Sequence, residues 1–130
     1  MAVEGAQPVK WSFTSSGDLS AKQYYFVKLS ADNTVVICAA ATDIPIGVLQ
    51  NAPGTGGTAE VCIVGITKVN SDAALTAGNR IGTAADGQAD AKTAGTDTTE
   101  YAVGIVLIGS GAAGGYATAA INCAGAGRDA

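Results

Sequence analysis

Thr42-Asp43-Ile44-Pro45-Ile46-Gly47-Val48-Leu49 sets the reading of this chain, with a Thr-Asp turn signal leading into a short β-branched run that holds a glycine. Asp at such a position hydrogen-bonds its own backbone. Gly inside a strand marks a bulge, a bend or a close backbone approach. Runs of the same kind flank it: Tyr24-Tyr25-Phe26-Val27-Lys28-Leu29 and Thr34-Val35-Val36-Ile37-Cys38 before, Glu60-Val61-Cys62-Ile63-Val64-Gly65-Ile66 and Tyr101-Ala102-Val103-Gly104-Ile105-Val106-Leu107-Ile108 after. Each is bounded by Gly, Asn, Asp or Thr, as strands joined by turns are. No window of eleven or more residues carries a 3.6-residue apolar period free of Gly. The expected class is all-β.

The opening stretch also has an echo. Leu19-Ser20-Ala21 with Gln23 matches Leu75-Thr76-Ala77 with Asn79, 56 positions on. Asp32-Asn33 then meets Asp86-Gly87, and Thr42-Asp43 meets Thr96-Asp97. Ile46-Gly47-Val48 meets Val103-Gly104-Ile105, Gly54 and Gly57 meet Gly111 and Gly114, and Ile63 meets Ile121. The shared features are turn chemistry in a common order. They predict a small β-barrel or β-sandwich of two pseudo-repeated hairpin units, about 18–66 and 74–123, within a β-domain of residues 18–123. Either architecture limits exposed strand edges.

Residues 1–17 fall outside the repeat and read as an extended N-terminal arm. Its large apolar side chains, Trp11 and Phe13, share one face of an extended segment. They either cover one end of their own domain or plug into a neighbour. In Tyr24-Tyr25-Phe26, alternation sends Tyr24 and Phe26 to one side and Tyr25 to the other, which favours packing over a stacking platform. Trp11, Phe13, Tyr24 and Tyr25 are the expected partner contacts. Residues 124–130 read as a loose tail.

With 26 Ala and 18 Gly among 130 residues, the core is thin, because each Ala buries far less area than a Leu. An oligomer or a docking surface is expected to supply the rest. Seven Lys and Arg against eleven Asp and Glu give a net charge of −4, and the cations lie singly along the chain. Nucleic-acid binding needs clustered cations and is not expected. The longest apolar run, residues 102–108, is far short of the ~20 residues of a spanning helix. The first residues carry no basic start and no apolar segment, so neither export nor a membrane partner is expected.

Chemistry has little to work with. The sequence holds no His, the usual general base and zinc ligand. Asp32, Asp43, Asp86 and Asp97 sit at turns, where backbone capping is the ordinary role. Cys38, Cys62 and Cys123 show no CxxC spacing and read as small, buried, reduced side chains. Gly109-Ser110-Gly111-Ala112-Ala113-Gly114 fits G-x-G-x-x-G, yet no βαβ unit can follow it, and its repeat counterpart precedes a strand. It reads as a hairpin loop in which Gly111 matters. No catalytic, cofactor-binding or metal-binding residue is expected, and the chain is not expected to be an enzyme.

Taken in order, several of these segments resemble the tailed-phage capsid cement proteins, also called head decoration proteins. They are Tyr25-Phe26-Val27-Lys28-Leu29, residues 43–51, Gly56-Gly57-Thr58-Ala59-Glu60-Val61, Gly65-Ile66-Thr67-Lys68-Val69, Leu75-Thr76-Ala77-Gly78-Asn79 and Ala102-Val103-Gly104-Ile105. The resemblance spans roughly residues 17–123. It implies a structural β-protein, commonly a trimer, made in the host cytoplasm and carried on the outer surface of the virion. There it would bind junctions between major capsid subunits and stabilise the shell. A small ligand- or carbohydrate-binding β-domain of a surface or adhesin protein is the alternative.

Overall fold

The computed structural model describes residues 8–128. Its first strands are β1 (Val9–Ser15), β2 (Phe26–Ala31), β3 (Thr34–Ile37), β4 (Gly47–Leu49) and β5 (Thr58–Asn70). There follow β6 (Arg80–Thr83), β7 (Ala89–Ala91), β8 (Tyr101–Ala102), β9 (Gly104–Ile108), β10 (Tyr116–Asn122) and β11 (Gly127–Arg128). Cys123–Gly125 forms a single 3₁₀ turn. The protein is all-β, a closed five-stranded barrel with further strands built onto it.

The barrel runs β1-β3-β2-β4-β5 and closes because β5 pairs back onto β1. Phe13, Leu19, Val27, Val35, Leu49, Ala59 and Val61 fill it. The second half of the expected arm is therefore a wall of the barrel. β1 lies antiparallel to β5, with Phe13 opposite Ala59, and parallel to β3, with Ser15 opposite Val35. The physical reason is period-two patterning: Phe13 and Ser15 turn inward while Ser12 and Thr14 stay exposed. Residues 1–7 of that arm lie outside the described residues.

The second unit repeats the first. Its order β7-β6-β9-β10 matches β3-β2-β4-β5, hairpin for hairpin. The C-terminal half of β5 does for it what β1 does for the barrel. That half runs antiparallel to β10, and Ser71, the residue just after it, makes an isolated parallel bridge to Ala89 of β7. Ser15 and Ser71 are 56 positions apart, and both are buried. So the repeat begins before residue 18, and its two copies share one long strand. The paired glycines repeat a contact as well. A Cβ on Gly47 would stand 2.4 Å from the Cys62 carbonyl oxygen, and one on Gly104 would stand 2.6 Å from that of Ala120. Each glycine permits a neighbouring strand to approach closely.

The Thr-Asp turns repeat too. The Asp43 carboxylate accepts from the N–H groups of Ala39 (2.9 Å) and Ala40 (3.0 Å) and from Lys28 Nζ (2.8 Å). That of Asp97 accepts from the Thr93 N–H at 2.6 Å. Burial pushes the pKa of Asp43 up, but the bonds from Lys28, Ala39 and Ala40 and the Lys28 charge outweigh it and hold it below the ordinary 3.8. A depressed folded-state pKa contributes stability that is present above the unfolded value and lost as pH falls through the folded one. Asp43→Ala is expected to cost about 1–3 kcal/mol in urea unfolding at pH 7. The gap between variant and parent should narrow steadily as the pH drops below 3.8; an undiminished gap in acid would assign the cost to packing instead.

Several strands are buried on both faces. Val27, Leu49 and Val61 point into the barrel, while their neighbours Phe26, Val48 and Cys62 join a second core with Val69, Ile81, Val106 and Ile121. A strand covered on both sides reads as an unbroken apolar run, which accounts for the patterns around residues 24–29, 46–49 and 60–64. Cys38, Cys62 and Cys123 belong to this second core as free thiols. Burial pushes the Cys38 thiol up to about 12 and raises the other two, so thiolate chemistry is suppressed.

The C-terminal stretch is tied down rather than loose through residue 128. Gly127 pairs with Ala102 and Arg128 with Tyr101, whose ring centroid lies 5.9 Å from the Arg128 guanidinium. These pairs give the backbone partners that a free tail lacks. Residues 129 and 130 lie outside the described residues. Nearby, buried Lys92 donates to the Thr83 carbonyl (2.8 Å), to Asp90 (3.2 Å) and to Glu100, fastening the loop after β7 over β6.

Candidate docking face

The four expected contact residues separate. Phe13 is barrel core. Trp11 is 59% exposed, beside the β2–β3 turn, and its indole N–H donates to Asn33 Oδ1 at 2.7 Å. Tyr24 and Tyr25 are half-buried. Tyr24 takes the left-handed φ of 69°, rare for a bulky residue. Its N–H donates to the Leu49 carbonyl (2.7 Å) and its own carbonyl accepts from Asn70 (3.0 Å). The Tyr24 ring meets that of Tyr116 edge-on at 5.6 Å. Lys68 Nζ lies 5.8 Å from the Tyr24 centroid, and Lys22 Nζ lies 4.8 Å from that of Tyr25. Cations thus occupy ring faces that a stacking sugar would use.

The Tyr24–Tyr116 contact marks one end of a larger surface. Pairing of β5, β10 and β9 aligns Ile66 with Ala120 and Ala120 with Ile105. The next row aligns Lys68 with Thr118 and Thr118 with Ile108. Val9 and Val64 pair at the far end, and Arg80 lies beyond Ile105. The inward residues of these strands, Val69, Val106, Ala117, Ala119 and Ile121, are core. The outward ones are open: Ile66 is 54% exposed, Ile105 49%, Leu107 45%, Ile108 66% and Tyr116 56%.

A bulge enlarges this face. The β9–β10 register shifts between Thr118 and Ala119, so that Leu107 and Ile108 both stand at the level of Thr118, and both are exposed. Bulges re-aim side chains at functional edges. Here one places two consecutive apolar residues outward. The run Tyr101-Ala102-Val103-Gly104-Ile105-Val106-Leu107-Ile108 is thus apolar on two faces, as are those of the barrel, but only one of its faces is covered. That two-faced pattern was the sequence signal for the surface, and it was hidden because burial on both sides explains it equally well.

The glycine motif has no part in the face's chemistry. It connects the antiparallel neighbours β9 and β10, as a hairpin loop does. The Ser110 N–H donates to the Leu75 carbonyl, the Gly114 N–H to that of Ser71, and the Gly115 N–H to that of Ala112. Gly111 is not the sensitive position: nothing lies within 4 Å of a Cβ built there. Two others need to be glycine: Gly109, where a Cβ would stand 2.3 Å from the Leu75 carbonyl oxygen, and Gly114, with φ of 79°. Asp86 and Asp97 accept backbone N–H bonds in their own turns. No cluster of metal-ligating side chains occurs among the described residues.

With this geometry in view, one solved structure is informative. The chain is similar to the N base of head fibre gp8.5 of bacteriophage phi29, with a TM-score of 0.64 and 18% sequence identity, over 90% of this chain and 96% of that one. What they share is the fold. No protein-family model matches the sequence, and no curated protein does. The shared architecture therefore extends over both units, not the barrel alone.

A groove of about 500 Å³ is lined by Leu29, Ile44, Pro45 and Ile46 with Lys28 and Asp43, and by Cys123 of the 3₁₀ turn. Its charges are already spent on each other, since Lys28 and Asp43 form an ion pair at 2.8 Å. The outer face of β5, β10 and β9 offers more apolar surface with less internal pairing.

Proposed function

We propose that this chain is a non-enzymatic structural protein of a phage head, a cement module on the outer surface of the shell. It binds at junctions between major capsid subunits, several copies together, as a trimer, and holds the shell against internal pressure. The observation that carries this reading is the uncovered apolar face of β5, β10 and β9. A soluble protein that leaves a contiguous apolar sheet face open has a partner for it. The fold shared with a phage head fibre base agrees, as do the cement-like segments along the sequence.

The modest size of the face suits the task. Cement copies repeat one contact many times around a shell, so avidity substitutes for a large individual interface. No group in the chain needs to react. The apolar rows supply affinity, and the tight double core supplies a rigid body that can bridge two subunits.

Purified protein is expected to co-sediment with expanded empty shells and to raise the temperature at which they break. Shells that neither retain the protein nor gain heat resistance would sink the proposal.

A further inference from the structure

We propose that the occupant of the β5–β10–β9 face is the shell protein and not the same face of a second copy of this chain, and that it presents carboxylates opposite Lys68. The inference deepens the reading of the chain as a head protein and rests on it. It names the surface, its strongest contacts and the chemistry of the partner.

Charge points to the partner. The chain carries eleven acidic residues against seven basic ones. The outward rows of the face nonetheless hold Val64, Ile66 and Lys68 on β5, Tyr116, Thr118, Ala120 and Asn122 on β10, and Ile105, Leu107 and Ile108 on β9, with no carboxylate. Lys68 has no carboxylate within ion-pair distance among the described residues; its ammonium leans over the Tyr24 ring. Two copies joined about a twofold axis would set this surface against itself. Each Lys68 would then face a surface without a carboxylate. A partner with an apolar patch and an acidic rim satisfies both the rows and the lysine.

Area agrees. Val9, Ile66, Ile105, Leu107, Ile108 and Tyr116, each about half exposed, amount to roughly 600 Å², at the upper end of what a monomer leaves open. That is most of the ~800 Å² one partner gives to a standard specific interface. The centre of the patch is built for close contact. Small Ala120 lies between Ile66 and Ile105, so a partner side chain can seat between two ridges, with Leu107 and Ile108 beside it. These are the residues expected to dominate the binding energy.

The test uses the full chain and purified expanded shells. Ile105→Thr keeps a β-branched residue in the strand, Ile108→Asp places a charge on the patch, Lys68→Glu reverses the rim, and Ile44→Asp serves as a control at the groove. Melting curves check that each variant folds. Ile108→Asp is expected to weaken shell binding at least tenfold and Ile105→Thr severalfold. Lys68→Glu should weaken binding and reverse its salt dependence, while Ile44→Asp binds like the parent. If the parent binds shells and all three face variants bind equally well, the face is not the contact and this inference fails while the head-protein reading stands. If the face variants instead break up an oligomer seen for the parent by sedimentation velocity, the occupant is a second copy and the inference is overturned. A parent that binds no shell defeats the functional reading itself.

Discussion

Removal of residues 1–16 should abolish cooperative unfolding of the protein, not merely weaken its attachment to a partner. The deletion takes out β1, which closes the barrel by pairing with β5 along six positions and with β3 along two. It also removes Phe13 from the barrel core and leaves Val27, Val35 and Val61 facing water. Loss of a buried Phe side chain alone costs about 3–5 kcal/mol, against a total stability of roughly 5–15 kcal/mol for a domain. The unpaired edges of β3 and β5 add to the loss and invite aggregation. Denaturant unfolding followed by circular dichroism reads the result. A truncated chain that still shows a sharp transition would mean that β1 is a detachable arm after all. Single substitutions resolve the two rings: Phe13→Ala should carry the large cost, and Trp11→Ala, at an exposed site, should stay within about 1 kcal/mol of the parent.

The second large effect is expected at Phe26. Its side chain is fully buried and is the largest of the fully buried ones among the described residues. It leaves the barrel wall and packs in the core that also holds Val69 of the shared strand β5 and Ile81 and Val106 of the second unit. The link is reinforced where the Phe26 N–H donates to the Gly87 carbonyl at 2.7 Å, which docks the second hairpin turn onto β2. Phe26→Ala should therefore cost about 3–5 kcal/mol and lower the melting temperature by about 10–20 °C. Because the residue joins both units, separate unfolding of the two halves is expected as the accompanying signature. An exposed neighbour on the same strand, Leu29→Ala, should change little. Equal effects at the two positions would refute the view that Phe26 is the link between units.

Much of the fold was legible because its signals are local. Asp32-Asn33 and Asp86-Gly87 are hairpin turns in the structure, joining β2 to β3 and β6 to β7. Asn33 and Gly87 both take positive φ there, the conformation their chemistry allows. Gly47 and Gly104 signal a bulge, a bend or a close backbone approach, and the last of these is what both provide. The strands β1, β6, β7 and β10 were harder to see. They are short, or rich in Ala, Thr and Ser, and their stability comes from neighbours rather than from propensity. Tyr101-Ala102 and Gly104 to Ile108 divide into two strands because the Val103 N–H turns aside to the Ile81 carbonyl. Nothing within that run announces the break.

The candidate site was legible only in part. Tyr24 and Tyr25 stand out by residue type, and Tyr24 does lie at the aromatic end of the face with Tyr116. Trp11 and Phe13 stand out for the same reason, yet the barrel separates them into an exposed and a buried ring. Ile66, Ile105, Leu107 and Ile108 did not stand out, because apolar residues in a strand ordinarily mean core.

By itself the sequence determined the all-β class, the positions of the turns, the order of the repeated landmarks and the lack of a histidine-based chemistry. Each of these is a property of one residue or of a short window, where steric limits on φ and alternation of side chains act directly. Only the tertiary structure decided that β5 serves both units, that β1 closes a barrel, and which face of each apolar run is covered. Those outcomes depend on pairing between strands some 50 positions apart, such as Phe13 with Ala59 and Ile66 with Ala120. Alternation tells a strand that it has two faces; only its distant neighbours determine which of them meets water.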